Sequence, residues 1–531
     1  MQGFATLSVA TILAESAARY AERTAVVVGP ERITYRELWD QTRAVAGALR
    51  AEGVGPGTRV ALLLPNVADF PRAYFAVLAL GGVVVPVHAL LQGPEIQYVL
   101  EDSEASLLVC AAPLLAQGLR GARAAGVDVV TVLAPAELAA EHGVRRLEEL
   151  AAAAEPITAV EPRRPDDTAT ILYTSGTTGR PKGAEGCHFS LVAQVETSLL
   201  DTFRMSPDDV VLGCLPLFHT FGQTCAMNTT FRAGATLVLV PKFDGPTALS
   251  LMVEHGCTVV MGVPTMYMAF LEAAAKDDRR PPLAYGVSGG AAIPLAIIDR
   301  FRDVFGVEVH EGYGLTETSP VATFNPVGRP PRPGTVGVPI WGVEVEVARH
   351  DVLDRVELLP RGEMGELVVR GHNLMKGYLG RPDDTAAAVV DGWFRTGDLG
   401  TKDADDYVTI VDRTKDMILR NGYNVYPREV EEVLAAHPDV ARVAVFGVAD
   451  ERHGEEVAAA VVLVDGATTT AEALREYAAD RIAAYKYPRR IEVVEDLPLG
   501  PSGKVLKREL VARYGASAGP AETRDADPAT S

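Results

Sequence analysis

Short apolar runs rich in valine and leucine recur in this 531-residue chain at 60–64, 107–110, 129–133, 236–240 and 258–261. Helix-length stretches separate several of them, and Tyr74, Val77 and Leu78 keep helical spacing after the first. A run of this kind without polar alternation is a strand covered on both faces, and a parallel neighbour requires a long crossover. The alternation predicts a large N-terminal domain of layered α/β subdomains. From 334 to 369 the strands come closer together, at 343–347 and 366–369, which predicts a smaller antiparallel or barrel-like unit, taken here as a small distorted β-barrel.

A boundary is expected near Asp412, after a strand at 407–411. Beyond it come a helix at 429–436, strands at 440–448 and 457–464, and a helix at 470–484, a small α+β domain of about 100 residues with a limited core. The expected division is 1–411, 412–515, and a disordered tail at 516–531, which has almost no large apolar residue to bury.

Fifty Lys and Arg against seventy Asp and Glu give a formal charge of −20. That balance opposes general nucleic-acid binding, which selects clustered cations. It leaves room for ATP, whose phosphates need only a local nest of N–H groups and one or two cations. Cys110, Cys187, Cys214, Cys225 and Cys257 form no CxxC or Cys/His cluster, so they are expected to be mostly buried thiols in a reducing, cytoplasmic setting. No signal peptide is evident at 1–14. The uncharged stretch 73–94 is long enough to span a bilayer, yet Gly81, Gly82, Pro86, His88 and Gln92 favour a buried helix, turn and strand, so no integral membrane segment is expected.

Tyr173-Thr-Ser-Gly-Thr-Thr-Gly-Arg-Pro-Lys-Gly183 follows the apolar strand 169–172. Gly176 and Gly179 let a backbone approach a polyphosphate, and the hydroxyls of Thr174, Ser175, Thr177 and Thr178 can donate to it. Lys182 supplies a charge for the outer phosphates. Pro181 and Gly183 stand where a Walker loop needs Gly and Ser or Thr. Taken alone, such a cluster is most often a solvated turn.

The segment resembles the signature loop of the adenylate-forming superfamily, which includes acyl- and aryl-CoA synthetases, luciferases and peptide-synthetase adenylation domains. Further matches follow in order: Leu215-Pro-Leu-Phe-His-Thr-Phe-Gly222, Ser288-Gly-Gly-Ala291, Tyr313-Gly-Leu-Thr-Glu-Thr-Ser-Pro320, Trp393-Phe-Arg-Thr-Gly-Asp398, Asp412-Arg-Thr-Lys-Asp416, Asn421-Gly-Tyr-Asn-Val-Tyr-Pro427 and Pro501-Ser-Gly-Lys504. With Ile33-Thr-Tyr-Arg-Glu-Leu38, the resemblance covers residues 8–512. The wording is most similar to bacterial fatty-acid–CoA ligases.

The resemblance implies two half-reactions: a carboxylate attacks the α-phosphorus of ATP to give acyl-adenylate and pyrophosphate, then the thiol of coenzyme A takes the acyl group. It implies that Glu317 holds Mg²⁺, that Thr316 contacts the α-phosphate, and that Gly290, Gly312 and Tyr313 wall the adenine. Asp398 and Arg413 become ribose contacts. Lys504 becomes the lysine of adenylation, Gly422 with Tyr423 the coenzyme A tunnel, and Lys415 the pivot of a hinge at 412–416 on which the C-terminal domain moves. The implied acyl pocket comprises His219, Phe221, Gln223, Val287, Gly314, Leu315 and Val321. Each residue also has a plainer role: a lone Glu or Lys is usually solvated, a Gly-Asp usually a turn, and a histidine on an apolar stretch usually core.

Two positions depart from parts of the family. Gln223 stands where some long-chain members have an aromatic gate, and Gly312 where malonate-specific members have Arg. The expected function is ATP- and Mg²⁺-dependent ligation of a medium- or long-chain fatty acid, a small-molecule carboxylic acid, to coenzyme A. An aryl-CoA ligase for a cinnamate- or benzoate-like acid, an enzyme loading a carrier protein, and a non-catalytic nucleotide binder are the rivals. A homodimer is left open.

Overall fold

Valine- and leucine-rich segments that no helix could bury on all sides pair into two large sheets in the computed structural model. The structure describes residues 7–174, 180–413, 416–421, 423–450, 452–500 and 505–515. The chain divides into two units, Met1–Thr396 with Gly400–Ile410, and Gly397–Leu399 with Val411–Ser531.

In the larger unit, one seven-stranded sheet runs in the order Arg145–Arg146, Asp128–Val132, Leu107–Ala111, Arg59–Leu63, Val83–Pro86, Thr168–Thr174, Lys182–Cys187. All its pairs are parallel except the last, a hairpin. A nine-stranded sheet has a parallel centre of Tyr285–Ser288, Val259–Gly262, Val210–Gly213 and Thr236–Leu239. One continuous core joins the two sheets. It holds Val60, Leu62 and Val109 from one, Val211, Leu237 and Val287 from the other, and Phe70, Tyr74 and Phe75 from the buried helix Asp69–Ala79. The stretch 73–94 is thus the end of that helix, a turn and the strand Val83–Pro86. Among the described residues no helix is long and apolar enough to cross a membrane.

The expected barrel-like region forms a separate twisted sheet with the order Val343–Ala348, Gly365–Gly371, Trp393–Lys402, Val389–Val390. In the smaller unit, the long hairpin Val440–Asp450 and Gly454–Leu463 carries Arg490–Val493 on one side and the helices Pro427–Ala435 and Ala471–Ala479. The second helix is shorter than the expected 470–484. It ends at Ala479 with Asp480 as its C-cap, and the next segment turns so that Ile482, Tyr485 and Tyr487 pack on the small core, with the Tyr485 ring 4.9 Å from that of Tyr423. Tertiary packing of aromatics overrides helix propensity there.

All five cysteines are free, and four are buried. Burial pushes the thiols of Cys110, Cys214 and Cys257 up to about 12, far from the reactive thiolate range. Cys187 instead caps the helix His188–Thr197, its sulfur accepting from Ser190 N.

Candidate active site

In parallel sheets the carboxyl ends of strands are where ligands meet loops. Strand Thr168–Thr174 leads into the segment expected to bind phosphate, and the antiparallel return Lys182–Cys187 sets Lys182 opposite Thr174. Ser175, Gly176, Thr177, Thr178 and Gly179, between them, lie outside the described residues. Both flanks are gripped by one polar network. Tyr173 donates from its hydroxyl to Asp102 Oδ2 at 2.8 Å, and Tyr98 donates to the Pro181 carbonyl at 2.7 Å. Arg381 donates to both Tyr98 Oη, at 3.0 Å, and Asp102 Oδ1, at 3.1 Å. Burial first, and Asp102 second, push the Tyr173 hydroxyl far up, so it stays a proton donor.

The segment 375–379 stitches this hairpin to the Tyr313–Pro320 motif. Its amides donate from Lys376 to the Glu185 carbonyl, from Leu379 to that of Gly183 and from Met375 to that of Glu317. Its glycine carbonyl, at Gly377, accepts from Glu185 N. Tyr378 therefore sits between Lys182 and Glu317. Its hydroxyl donates to Glu317 Oε1 at 2.8 Å, and the Lys182 ammonium stands 5.2 Å from its ring centre. The same ammonium is 2.6 Å from Asp384 Oδ1. Burial and the Glu317 carboxylate keep the Tyr378 hydroxyl protonated, its pKa pushed far up.

Glu317 is buried within the short 3₁₀ turn Thr316–Thr318, which follows the strand Val309–Gly314. The turn is tight. Leu315 N donates to Thr318 Oγ1 at 2.9 Å and to the Pro320 carbonyl at 3.1 Å. A Cβ on Gly314 would lie 1.7 Å from that carbonyl oxygen, so only glycine lets the chain fold back here. Thr316 is half-buried beside Glu317. Gly312 pairs with Phe324 in the antiparallel ladder, and Tyr313 packs partly buried on the main core. Gly290 has φ +83, a left-handed turn just past the strand Tyr285–Ser288.

Of the residues expected to line an acyl pocket, Phe221 opens the π-helix Phe221–Asn228, a geometry frequent at functional sites. A Cβ on Gly289 would meet the Phe221 ring at 3.3 Å, so ring and strand end are in contact. His219 Nδ1 accepts from Phe221 N at 3.3 Å. Gln223 is fully buried; its Nε2 reaches the Leu217 carbonyl at 3.4 Å, while its Oε1 has no partner among the described residues. Val287 and Val321 are buried in the main core that Phe221 packs against. Leu315 packs elsewhere, in the small cluster of Ala184, Met375 and Phe394.

In the smaller unit, Arg413 Nε is 2.9 Å from Asp398 Oδ1, with the carboxylate largely buried and the guanidinium about half exposed. Tyr423 is exposed and lies against Tyr485. Lys415, Gly422, Lys504 and the tail 516–531 lie outside the described residues, as does part of 412–416. Sequence reading missed Tyr378, Asp384, Asp102 and Arg381. Their signal was faint: an aromatic after Gly377 and an acidic pair after Pro382.

A family model for AMP-binding enzymes matches residues 13–379, and one for the AMP-binding enzyme C-terminal domain matches residues 429–504. The chain belongs to the AMP-binding enzymes. Among its relatives, a feruloyl-CoA synthase of Amycolatopsis is 38% identical over 93% of this chain and 96% of its own. A long-chain-fatty-acid–CoA ligase of Bacillus subtilis is 32% identical over 94% and 93%. The crystal structure of ATP-bound MatB from Rhodopseudomonas palustris is 33% identical, with a TM-score of 0.84 over 96% of this chain and 99% of the other. This AMP-binding enzyme is accordingly an AMP-forming acid–thiol ligase of the acyl- or aryl-CoA class, with ATP and coenzyme A as co-substrates.

Proposed function

We propose that the chain is an ATP- and Mg²⁺-dependent synthetase that activates a medium- or long-chain fatty acid as its adenylate and passes it to coenzyme A. The observation that carries the nucleotide chemistry is the convergence of Lys182 and Glu317 on Tyr378. One hydroxyl-bearing ring thus links a cation suited to outer phosphates with a carboxylate suited to a divalent ion.

Among the described residues no group of three or more His, Cys, Asp or Glu could hold a metal alone. Glu317 offers a single buried carboxylate, which fits Mg²⁺ shared with phosphate oxygens. When bound, the ion would neutralise charge on the phosphates. In this reading Lys182, Thr174 and the loop hydroxyls of Ser175, Thr177 and Thr178 hold the phosphates, with Gly176 and Gly179 giving close approach. Thr316 faces the α-phosphate, Gly290, Gly312 and Tyr313 take the adenine, and Asp398 with Arg413 takes the ribose. Lys504 stabilises charge during adenylation, and Gly422 and Tyr423 admit the thiol after 412–515 turns about Lys415. Positioning and electrostatics carry both half-reactions, without a covalent enzyme intermediate. Five unpaired cysteines support a reducing, cytoplasmic setting.

The apolar character of Phe221, Val287 and Val321, with no cation among the assigned pocket residues, supports the fatty-acid reading. A second reading, an aryl-CoA ligase for a cinnamate- or benzoate-like acid, is favoured by the unpartnered Gln223 Oε1, which could accept from a ring hydroxyl. Pyrophosphate release across an acid panel, with and without coenzyme A, separates them. On the first reading kcat/KM climbs about fourfold per CH₂, from about 0.8 kcal/mol of burial each, and levels off in the medium range. Preference for a hydroxycinnamate or benzoate over octanoate, decanoate and dodecanoate would promote the second.

A further inference from the structure

We propose that Asp384 is a displaceable anion for the phosphate-loop lysine: it yields Lys182 to the outer phosphates of ATP and takes it back as pyrophosphate leaves. The proposal rests on the reading of Lys182 as the contact for those phosphates.

The pair is built, not incidental. Lys182 has its backbone fixed by the hairpin with Thr174, and Leu379 N binds the adjacent Gly183 carbonyl. Asp384 sits in the first turn of the helix Pro382–Ala388, and Thr385 of that helix accepts from Tyr378 N through its hydroxyl at 2.9 Å. The strand of Lys182 and the helix of Asp384 are thus both tied by hydrogen bonds to the segment that carries Tyr378. The lysine side chain is only 20% exposed, with the Tyr378 ring along its flank, so the 2.6 Å contact is shielded from water on one side.

An ammonium has three donors and no acceptor, and a carboxylate oxygen meets it in the geometry a phosphate oxygen would use. The two anions therefore compete for one cation. A triphosphate, which carries more negative charge than one carboxylate, displaces Asp384. Once pyrophosphate is cleaved off, recapture by Asp384 lowers the free energy of the emptied site and so weakens the product's hold. AMP carries no outer phosphate and takes no part in the exchange.

Asp384→Asn is the test, with Asp383→Asn as the control: Asp383 is exposed in the same helical turn and carries the same charge. Calorimetric binding of ATP, pyrophosphate and AMP, and product inhibition by the last two, are measured at fixed Mg²⁺ and ionic strength. Asp384→Asn should tighten ATP and pyrophosphate by about three- to tenfold and leave AMP unchanged. Asp383→Asn should move all three by less than about twofold. In a Lys182→Gln background the Asp384→Asn effect should vanish. Pyrophosphate affinity that is unchanged or weaker in Asp384→Asn, or AMP tightened equally, overturns the proposal. If Lys182→Gln alone leaves ATP and pyrophosphate binding unaltered, the reading of Lys182 falls and this proposal with it. If Lys182→Gln weakens both while Asp384→Asn moves neither, only the displaceable anion is lost.

Discussion

Glu317 in the larger unit and Asp398 in the smaller are both largely buried carboxylates proposed to meet the nucleotide, yet their surroundings differ in kind. Glu317 is oriented by a neutral donor, the Tyr378 hydroxyl, whereas Asp398 lies against a guanidinium, that of Arg413. A neutral donor fixes direction and leaves the negative charge available to a cation. A cationic partner offsets the charge, which suits a carboxylate that accepts from uncharged groups such as hydroxyls. The two settings suit a metal ion and a sugar, respectively.

Glu317→Gln is therefore expected to have the largest effect. It keeps shape and one acceptor but removes the charge, and pyrophosphate release should fall about 10²–10³-fold, the scale of losing one preorganised electrostatic contact. Asp398→Asn should cost less and chiefly raise KM for ATP. If Asp398→Asn proves the more damaging of the two in kcat, the contrast between charge and orientation is wrong.

That contrast was half legible in the sequence. Glu317 stands in a motif whose spacing is local, and the tight return through Gly314 and Pro320 preserves it in space. Asp398 follows Gly397 in the same local way. Tyr378 lies 61 residues from Glu317 and Asp384 lies 202 from Lys182, and no local pattern marks such pairs. They meet because the amides and carbonyls of 375–379 lay the chain along Lys182–Cys187, a pairing of backbone that side-chain types do not encode. The sheets were legible for the converse reason: strands such as 60–64 and 107–110 announce burial in every residue. Where burial alternated with aromatics, as after Asp480, the helix was overextended.

The two units should also differ in their response to acid. In the larger, burial holds the pKa of His188 down to about 4 from 6.5, Arg163 adding to it, and burial lowers His310 as well. A histidine whose folded pKa is depressed leaves stability complete above pH 6.5, and that stability is lost as pH falls towards 4. For His188 the full loss is about 3 kcal/mol. In the smaller unit burial raises the pKa of Asp412, so its contribution is fully present below the ordinary value of 3.8 and lost as pH rises through the folded value. Hydrogen exchange between pH 7 and 5 should show the helix His188–Thr197 losing protection while Pro427–Ala435 keeps it. His188→Gln should flatten the response of the first helix. Equal loss in both helices would remove the distinction.

Tyr378→Phe tests the neutral donor directly. Hydrogen bonds to charged groups are worth about 1.5–3 kcal/mol, so losing this one should raise the Mg²⁺ concentration for half-maximal adenylation about ten- to a hundredfold. Calorimetry of ATP without Mg²⁺ should show no change, because the hydroxyl acts through the carboxylate and not on the phosphates. Weaker ATP binding in the absence of Mg²⁺ would mean that the ring itself contacts nucleotide.

Arg413→Gln should have the smallest effect. Its guanidinium is about half exposed, so solvent already screens much of the pairing with Asp398. What remains is geometric: Nε, at 2.9 Å, holds one carboxylate oxygen and thereby directs the other. Glutamine can still donate to that oxygen but brings no charge, and KM for ATP should rise only about three- to fivefold, with kcat nearly unchanged. Arg413→Lys, which keeps the charge and gives up the planar fork, separates the two contributions. If lysine restores parental KM, charge is what Asp398 needs; if lysine and glutamine are equally impaired, direction is. A large fall in kcat with either variant would make Arg413 part of the charge stabilisation at the reacting phosphorus, and the division between Glu317 and Asp398 would no longer hold.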